Sequence, residues 1–180
     1  MNSFQTNGFK ASTIEEIAAK AGVVKGSFYN HFKSKEALAV DAVKLFVTEA
    51  LKTLSLEGPP SAMKRLRAHF ETIAAIQNKA HFQEGCLLAN FSGEISDEQP
   101  TLRSALDEGI DRWCRELSEV IRQAQAEGEI GKQYKADLLS RFLVNAWEGA
   151  TIRTKVIRSQ QPLDEFFVII FKGLLGSKNP

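Results

Sequence analysis

The stretch STIEEIAAKAGVVKGSFYNHFKSKEAL, Ser12 to Leu38, decides how this chain is read. It opens with helix-start chemistry. Ser12 or Thr13 can cap a helix from Thr13 to Lys20, Ser12-Thr13-Ile14-Glu15 reads as a capping box, and Glu15 and Glu16 sit where the helix dipole favours acids. Ile14, Ile17, Ala18 and Ala21 form the apolar stripe, and Gly22 ends the helix. After a few residues a second short helix is predicted, from Lys25 to Phe32. Ser34 then caps a longer third, in which Leu38, Val43, Leu45, Phe46 and Leu51 recur at helical spacing until Gly58-Pro59-Pro60 stops it.

Two short helices joined by a tight turn have a particular use. The first braces against the phosphate backbone while the second lies in the major groove, which is wide enough to admit one helix. The residues around this turn suit the task. From Lys20 to Lys35 there are four lysines (Lys20, Lys25, Lys33 and Lys35) and His31, with no Asp or Glu. Gly26 removes a side chain where backbone approaches phosphates, and Ser27, Tyr29 and Asn30 are small or planar hydrogen-bonding groups. Phe28 and Phe32, four apart, face inward and pin the helix. A merely solvated basic face would explain the lysines but not the turn or the alternation of inward and outward residues. The combination points to DNA.

At this point the residues carry a resemblance. Gly8-Phe9 followed by Ser12 to Leu38 resembles the DNA-binding domain of the TetR family of bacterial transcriptional repressors. The match is densest at Gly26-Ser27-Phe28-Tyr29-Asn30-His31-Phe32-Lys33-Ser34-Lys35-Glu36. The resemblance implies that Thr13, Tyr29, His31 and Lys35 position the protein on phosphates, whereas Lys25, Gly26, Ser27 and Asn30 reach into the groove. Phosphate contacts set register, and groove contacts choose sequence. Only Met1 to Asn7 precede the Gly8-Phe9 pair, where family members carry a full first helix. That predicts a truncated first helix with Phe4 as its core residue, a loosened head and weaker DNA affinity than an N-terminally extended form.

The remainder of the chain is also helical in pattern, with no sustained two-residue alternation and no internal repeat. Helices are predicted from Ser61 to Gln77, from near Gly85-Cys86, and from Pro100 until Gly128 and Gly131. Leu102, Leu106, Ile110, Trp113, Leu117, Val120, Ile121 and Ala124 trace one face of the Pro100 helix. Asp137 can cap a helix from Leu138 to about Ser159, and Pro162 opens the last. The expected fold is all-α: a helix-turn-helix DNA-binding head over 1–45 with a truncated first helix, and a helical effector-binding and dimerisation body over 46–180.

Composition agrees with one ordinary globular chain. Of 180 residues, 43% are hydrophobic and 25% charged, with a formal net charge of +1, so any preference for an acidic partner must come from local charge. The longest fully apolar run, Phe166 to Phe171, is far short of the roughly 20 residues of a membrane span, and MNSFQTNGF has neither the basic stretch nor the apolar core of a signal peptide. Two cysteines make no disulfide framework, so reduced thiols in the cytoplasm are expected. No nucleophile-base spacing, glycine-rich phosphate loop or metal-ligand cluster is readable, and His31, His69 and His81 are scattered; neither enzyme chemistry nor a cofactor is expected.

In the body, the resemblance implies an effector pocket among the middle helices and dimerisation through the last two. Leu139, Phe142, Leu143, Ala146, Trp147, Gly149 and Ala150 mix bulky and small side chains, and Phe166 to Leu175 is apolar almost all round; a homodimer is expected. Candidate pocket residues are Phe70, Cys86, Asn90, Trp113, Phe142 and Trp147, which equally describe a helical core. Cys86 carries two readings. Near a helix N-terminus its thiol is expected to ionise easily, and some regulators resembling this one answer electrophiles through a similar Gly-Cys-Leu segment; a free cysteine is otherwise a small buried hydrophobe. Cys114 is expected to be packing. The expected function is an operator-binding repressor released by a small-molecule or thiol-reactive effector. The alternative is a dimeric small-molecule-binding module with lost or weakened DNA binding.

Overall fold

The computed structural model describes residues 2–54 and 61–176, and among these no strand occurs. The head comprises α1 (Asn2–Ala11), α2 (Ile14–Lys20), α3 (Lys25–His31) and the start of α4 (Lys35–Leu51), which ends in a tighter turn, Lys52–Leu54. The body adds α5 (Ala62–Lys79), α6 (Leu87–Ser92), α7 (Pro100–Ala126), α8 (Ala136–Ile157) and α9 (Gln161–Phe167). A π-helical segment, Val168–Leu174, prolongs α9. The expected boundary after Leu45 falls inside α4, a continuous rod shared by head and body. The expected stop at Gly58-Pro59-Pro60 lies outside the described residues.

Capping explains most helix starts, with two corrections to the sequence reading. The capping box of α2 is Thr13 with Glu16, one residue later than expected: Thr13 Oγ1 accepts the Glu16 N–H at 3.2 Å and the Glu16 carboxylate accepts the Thr13 N–H at 3.2 Å. Ser12 is unavailable because its buried hydroxyl donates back to Gly8 O at 2.7 Å and Ser3 O at 3.2 Å, fastening α1. Likewise Asp137 does not cap α8. Lys135 holds the cap position, and Asp137, in the first turn, accepts from Ser118 and Arg122 of α7 instead. Ser34 and Ser61 cap α4 and α5 through the Ala37 and Lys64 amides, each at 3.1 Å. Gly22, at φ 72°, supplies the left-handed residue that turns α2 toward α3.

The long helices form one core. α7 packs against α4, α5 and α8, and α9 lies on α8. Leu66, Phe70, Leu88, Phe91, Leu117, Ile121, Leu143, Trp147 and Leu163 are fully buried in it. Where α4 crosses α7, Gly109 removes a side chain: a Cβ there would lie 3.2 Å from Val47 Cγ2 and 3.3 Å from Val43 Cγ1. The residue type thus sets how closely the shared rod approaches the body.

Candidate functional site

The head presents α3 as an exposed helix. Phe28 is buried and meets Phe32 at 5.5 Å between ring centroids, so the helix is anchored by its inner edge. On the outer side Lys25, Gly26, Tyr29, Asn30 and His31 are all exposed, with Ser27 half-buried. Tyr29 stands edge-on to Phe28 at 5.3 Å, which orients the phenol outward. Nothing lies within 4 Å of where a Gly26 Cβ would sit, so no intramolecular contact demands glycine there. Thr13 is exposed at the α2 cap. Lys25 forms an ion pair with Glu15 of α2, and each charge holds the other ionised, lowering the Glu15 carboxyl and raising the Lys25 ammonium. Both are fully exposed, so solvent and salt screen the pair, leaving Lys25 free to exchange a carboxylate for a phosphate.

Lys35, expected among the phosphate-positioning residues, has its ammonium on the backbone of the head. Its ammonium donates to Phe9 O at 2.8 Å, Ser12 O at 2.9 Å and Lys10 O at 3.4 Å, and it lies 4.5 Å from the Phe9 ring centroid. Its charge is turned inward onto the carbonyl end of α1, the favourable place for a cation. Sequence reading also missed Val23 and Val24. Val24 caps α3 without a side-chain hydrogen bond and is 74% exposed, the largest exposure among the big hydrophobic side chains described. An apolar pair in a polar turn, outside any helical stripe, was the available signal.

The candidate pocket residues separate into three places. Phe70, Trp113 and Trp147 are buried in a closed aromatic cluster: Phe70 meets Trp147 and Phe166 at 5.1 Å each, and Trp113 at 6.4 Å. Phe142 is a correction, since it stands on the outer face of α8 at 52% exposure, away from any interior chamber. Asn90 is another: its amide faces the head, donating to Gln5 O at 3.0 Å and Glu84 O at 2.8 Å. Three buried polar atoms in the body, Gln77 Oε1, Trp147 Nε1 and Glu148 Oε1, have no hydrogen-bond partner among the described residues. Desolvation raises the Glu148 carboxyl above its ordinary value.

Cys86 does occupy the cap position of α6, but its thiol is buried and pushed up to about 12. Burial is the dominant cause; the Ala89 and Leu88 amides pull the other way, and Glu148 adds to the rise. A six-residue helix has too little dipole to offset loss of water. The expected easily ionised thiol is therefore overturned, and the small-hydrophobe reading stands. Burial likewise raises Cys114 to about 11.

A polar chain runs through the core beside the aromatic cluster. Trp113 Nε1 donates to His69 Nε2 at 2.9 Å, which leaves the ring proton on Nδ1, 2.5 Å from Thr53 Oγ1. Thr53 donates onward to Ala50 O at 2.7 Å. Burial drives His69 down to about 3, so the imidazole is neutral and its tautomer is fixed by these partners. The chain ties α7 and α5 to the end of α4.

These features define a class: a helix-turn-helix nucleic-acid-binding head carried on a helical regulatory body, with α4 joining them. The comparisons narrow it. Residues 1–55 match the family described as "Bacterial regulatory proteins, tetR family" and residues 62–170 match "Tetracyclin repressor-like, C-terminal domain". The chain belongs to the TetR family of transcriptional regulators. It is 36% identical over 179 residues to the HTH-type transcriptional repressor DhaR of Mycobacterium sp. (strain GP1), covering 97% of this chain and 87% of that protein. To the HTH-type transcriptional repressor NemR of Escherichia coli (strain K12) it is 27% identical, covering 87% and 80%. Among solved structures, the regulatory protein TetR from Rhodobacter sphaeroides superposes with a TM-score of 0.89 at 27% identity, covering 97% of this chain and 94% of that one. The reduced form of E. coli NemR gives 0.82 at 25% identity, covering 98% and 93%. Among the described residues no helix is long and apolar enough to cross a membrane.

Proposed function

We propose that the protein is a cytoplasmic, homodimeric repressor that lays α3 in the major groove of an operator and is released by a small molecule held in the body. One observation carries the DNA half. α3 is pinned by a single buried face through Phe28, and Lys25, Tyr29, Asn30 and His31 opposite it are open to solvent, with Ser27 half-buried beside them. Thr13, Tyr29 and His31 supply the phosphate-positioning contacts, and Lys25, Gly26, Ser27 and Asn30 read the groove. Two-fold symmetry would then place two heads on half-sites one helical turn apart, roughly 34–36 Å, or a multiple of it.

Dimerisation is supported by α8. Leu138, Phe142, Asn145, Gly149, Ile152 and Val156 are exposed and succeed one another at alternating steps of four and three, tracing a stripe along the outer face. That is the spacing of a helix that packs against another helix. Val168 and Ile169, just after α9, add exposed apolar side chains at 48% and 66%. The effector half is supported by Trp147 Nε1 and Gln77 Oε1. An unpaired buried donor or acceptor costs roughly 1–3 kcal/mol, which a ligand offering the complementary atom would recover. The buried, protonated Cys86 favours a non-covalent effector over a thiol-reactive one.

The test is a gel shift on the DNA flanking the gene across a salt series. Binding is expected to weaken as a steep power of salt concentration, because phosphate neutralisation releases counterions. Binding to no flanking fragment at low salt would overturn the reading.

A further inference from the structure

The junction between head and body carries an inference that rests on the DNA-binding reading above. α1 is not a simple helix. It breaks at Gly8, where φ is 77° and ψ is −172°, a conformation that favours glycine. The Glu94 carboxylate fills the space beside it: a Cβ at Gly8 would fall 1.7 Å from Glu94 Oε1 and 2.9 Å from Oε2, so any side chain there would displace the carboxylate. Glu94 reaches this bend from the loop after α6, and its Oε2 accepts the Lys10 N–H at 2.6 Å. α6 adds two further contacts. Phe91, fully buried, meets Phe4 at 5.2 Å and Phe9 at 5.9 Å, both edge-on, and Asn90 donates to Gln5 O.

The head returns the contact. Glu36, in the first turn of α4, accepts the Leu102 N–H at 3.0 Å, capping the start of α7. Lys35 beside it gathers the Phe9 and Ser12 carbonyls. Each unit thus lends a carboxylate to a backbone N–H of the other, and both carboxylates act within one turn of a helix end or bend. A charge-assisted bond of this kind is stronger and more directional than apolar packing alone.

We propose that Glu94 is a positioning residue for operator binding: by gripping the Gly8 bend from the body it fixes the orientation in which the head is offered to DNA. Two heads must meet two half-sites at one spacing, so the observed affinity scales with the fraction of molecules whose heads are held correctly. Losing the grip widens the range of head orientations and leaves every phosphate contact in place. Affinity falls while its salt dependence stays the same. A residue that merely stabilised the fold would lower the melting temperature and leave affinity unchanged well below it.

The experiment uses the full chain as wild type, Glu94→Ala and Glu94→Gln. The probe is a duplex enriched by the wild type from a random-sequence pool. Glu94→Ala is expected to weaken duplex binding about 3–10-fold, as loss of orientation does, with an unchanged slope of affinity against salt. Exchange of the Lys10 amide is expected to rise at least tenfold. Glu94→Gln, which keeps an acceptor oxygen, should recover most of both losses. Equal affinity for wild type and Glu94→Ala, or a shallower salt slope, overturns the proposal while the DNA-binding reading stands. Failure of the wild type to enrich any duplex overturns both.

Discussion

Cys86 and His69 show how burial decides side-chain chemistry that residue type leaves open. With its thiol buried and pushed up to about 12, Cys86 is held in the protonated form at neutral pH. Brief treatment of the native protein with an alkylating reagent at pH 7 is expected to leave Cys86 unmodified, whereas urea-unfolded protein reacts at ordinary thiol rates. Mass spectrometry of the Cys86 peptide reads both, and rapid native labelling would contradict the burial. His69 gives a pH dependence whose sign follows from its partners. Its folded value of about 3 lies below the ordinary 6.5, so the unfolded chain binds the proton first. The neutral imidazole therefore contributes fully above pH 6.5, and its contribution is lost as pH falls from there toward 3. The loss is at most about 1.4 kcal/mol per pH unit. Glu148, raised by burial, slopes the other way, so the comparison must be between variants. His69→Gln should lower stability at pH 7.5 by about 1–3 kcal/mol, leaving Thr53 or Trp113 short of a partner. It should also flatten the decline between pH 6.5 and 5, as read from urea midpoints.

Among the elements, α4 matters most because it belongs to both units. Gly109 on α7 sets its approach, since even a Cβ there would press on the methyls of Val43 and Val47 more closely than ordinary van der Waals contact. Gly109→Leu is expected to push α4 outward, costing about 1–3 kcal/mol by overpacking. It should also weaken operator binding, because α4 carries the head; urea midpoints and the gel shift measure the two effects separately. The starts of α3, α4, α5 and α7 were legible in the sequence, since serine caps, Pro100 and the glycine turn are local signals. The cap of α2 was misread by one residue because Ser12 was recruited by Gly8 and Ser3 in α1, a contact invisible to local spacing. Asp137 was misread for the same kind of reason, its carboxylate being taken up by Ser118 and Arg122 across the helix pair. The buried and exposed sides of α3 were readable from alternation around Phe28. The inward turn of Lys35, the outward placement of Phe142 and the protonation of Cys86 were not, because each depends on which neighbour folding brings near.

At the scale of the whole molecule, the exposed stripe on α8 is the face the proposed dimer would bury. Leu138, Phe142, Ile152 and Val156 are each more than half exposed, yet they keep a helix-packing period over 19 residues of α8. Scattered surface apolar residues would show no such period. Gly149 falls in the middle of the stripe with nothing within 4 Å of its missing Cβ, so a partner helix can approach closely there. Isologous symmetry doubles the effect of any change, because each residue contributes to the contact twice. In the proposed dimer Ile152→Asp would therefore place two carboxylates in one apolar seam. It is expected to shift the protein to monomer in sedimentation experiments at micromolar concentration, with its own helix content retained. DNA affinity should fall with it, since a single head neutralises half the phosphates, and the slope of affinity against salt should drop to about half. That joint loss separates a dimeric DNA reader from a monomeric one: a monomeric variant with wild-type salt slope would show that one head suffices and that the stripe serves some other contact.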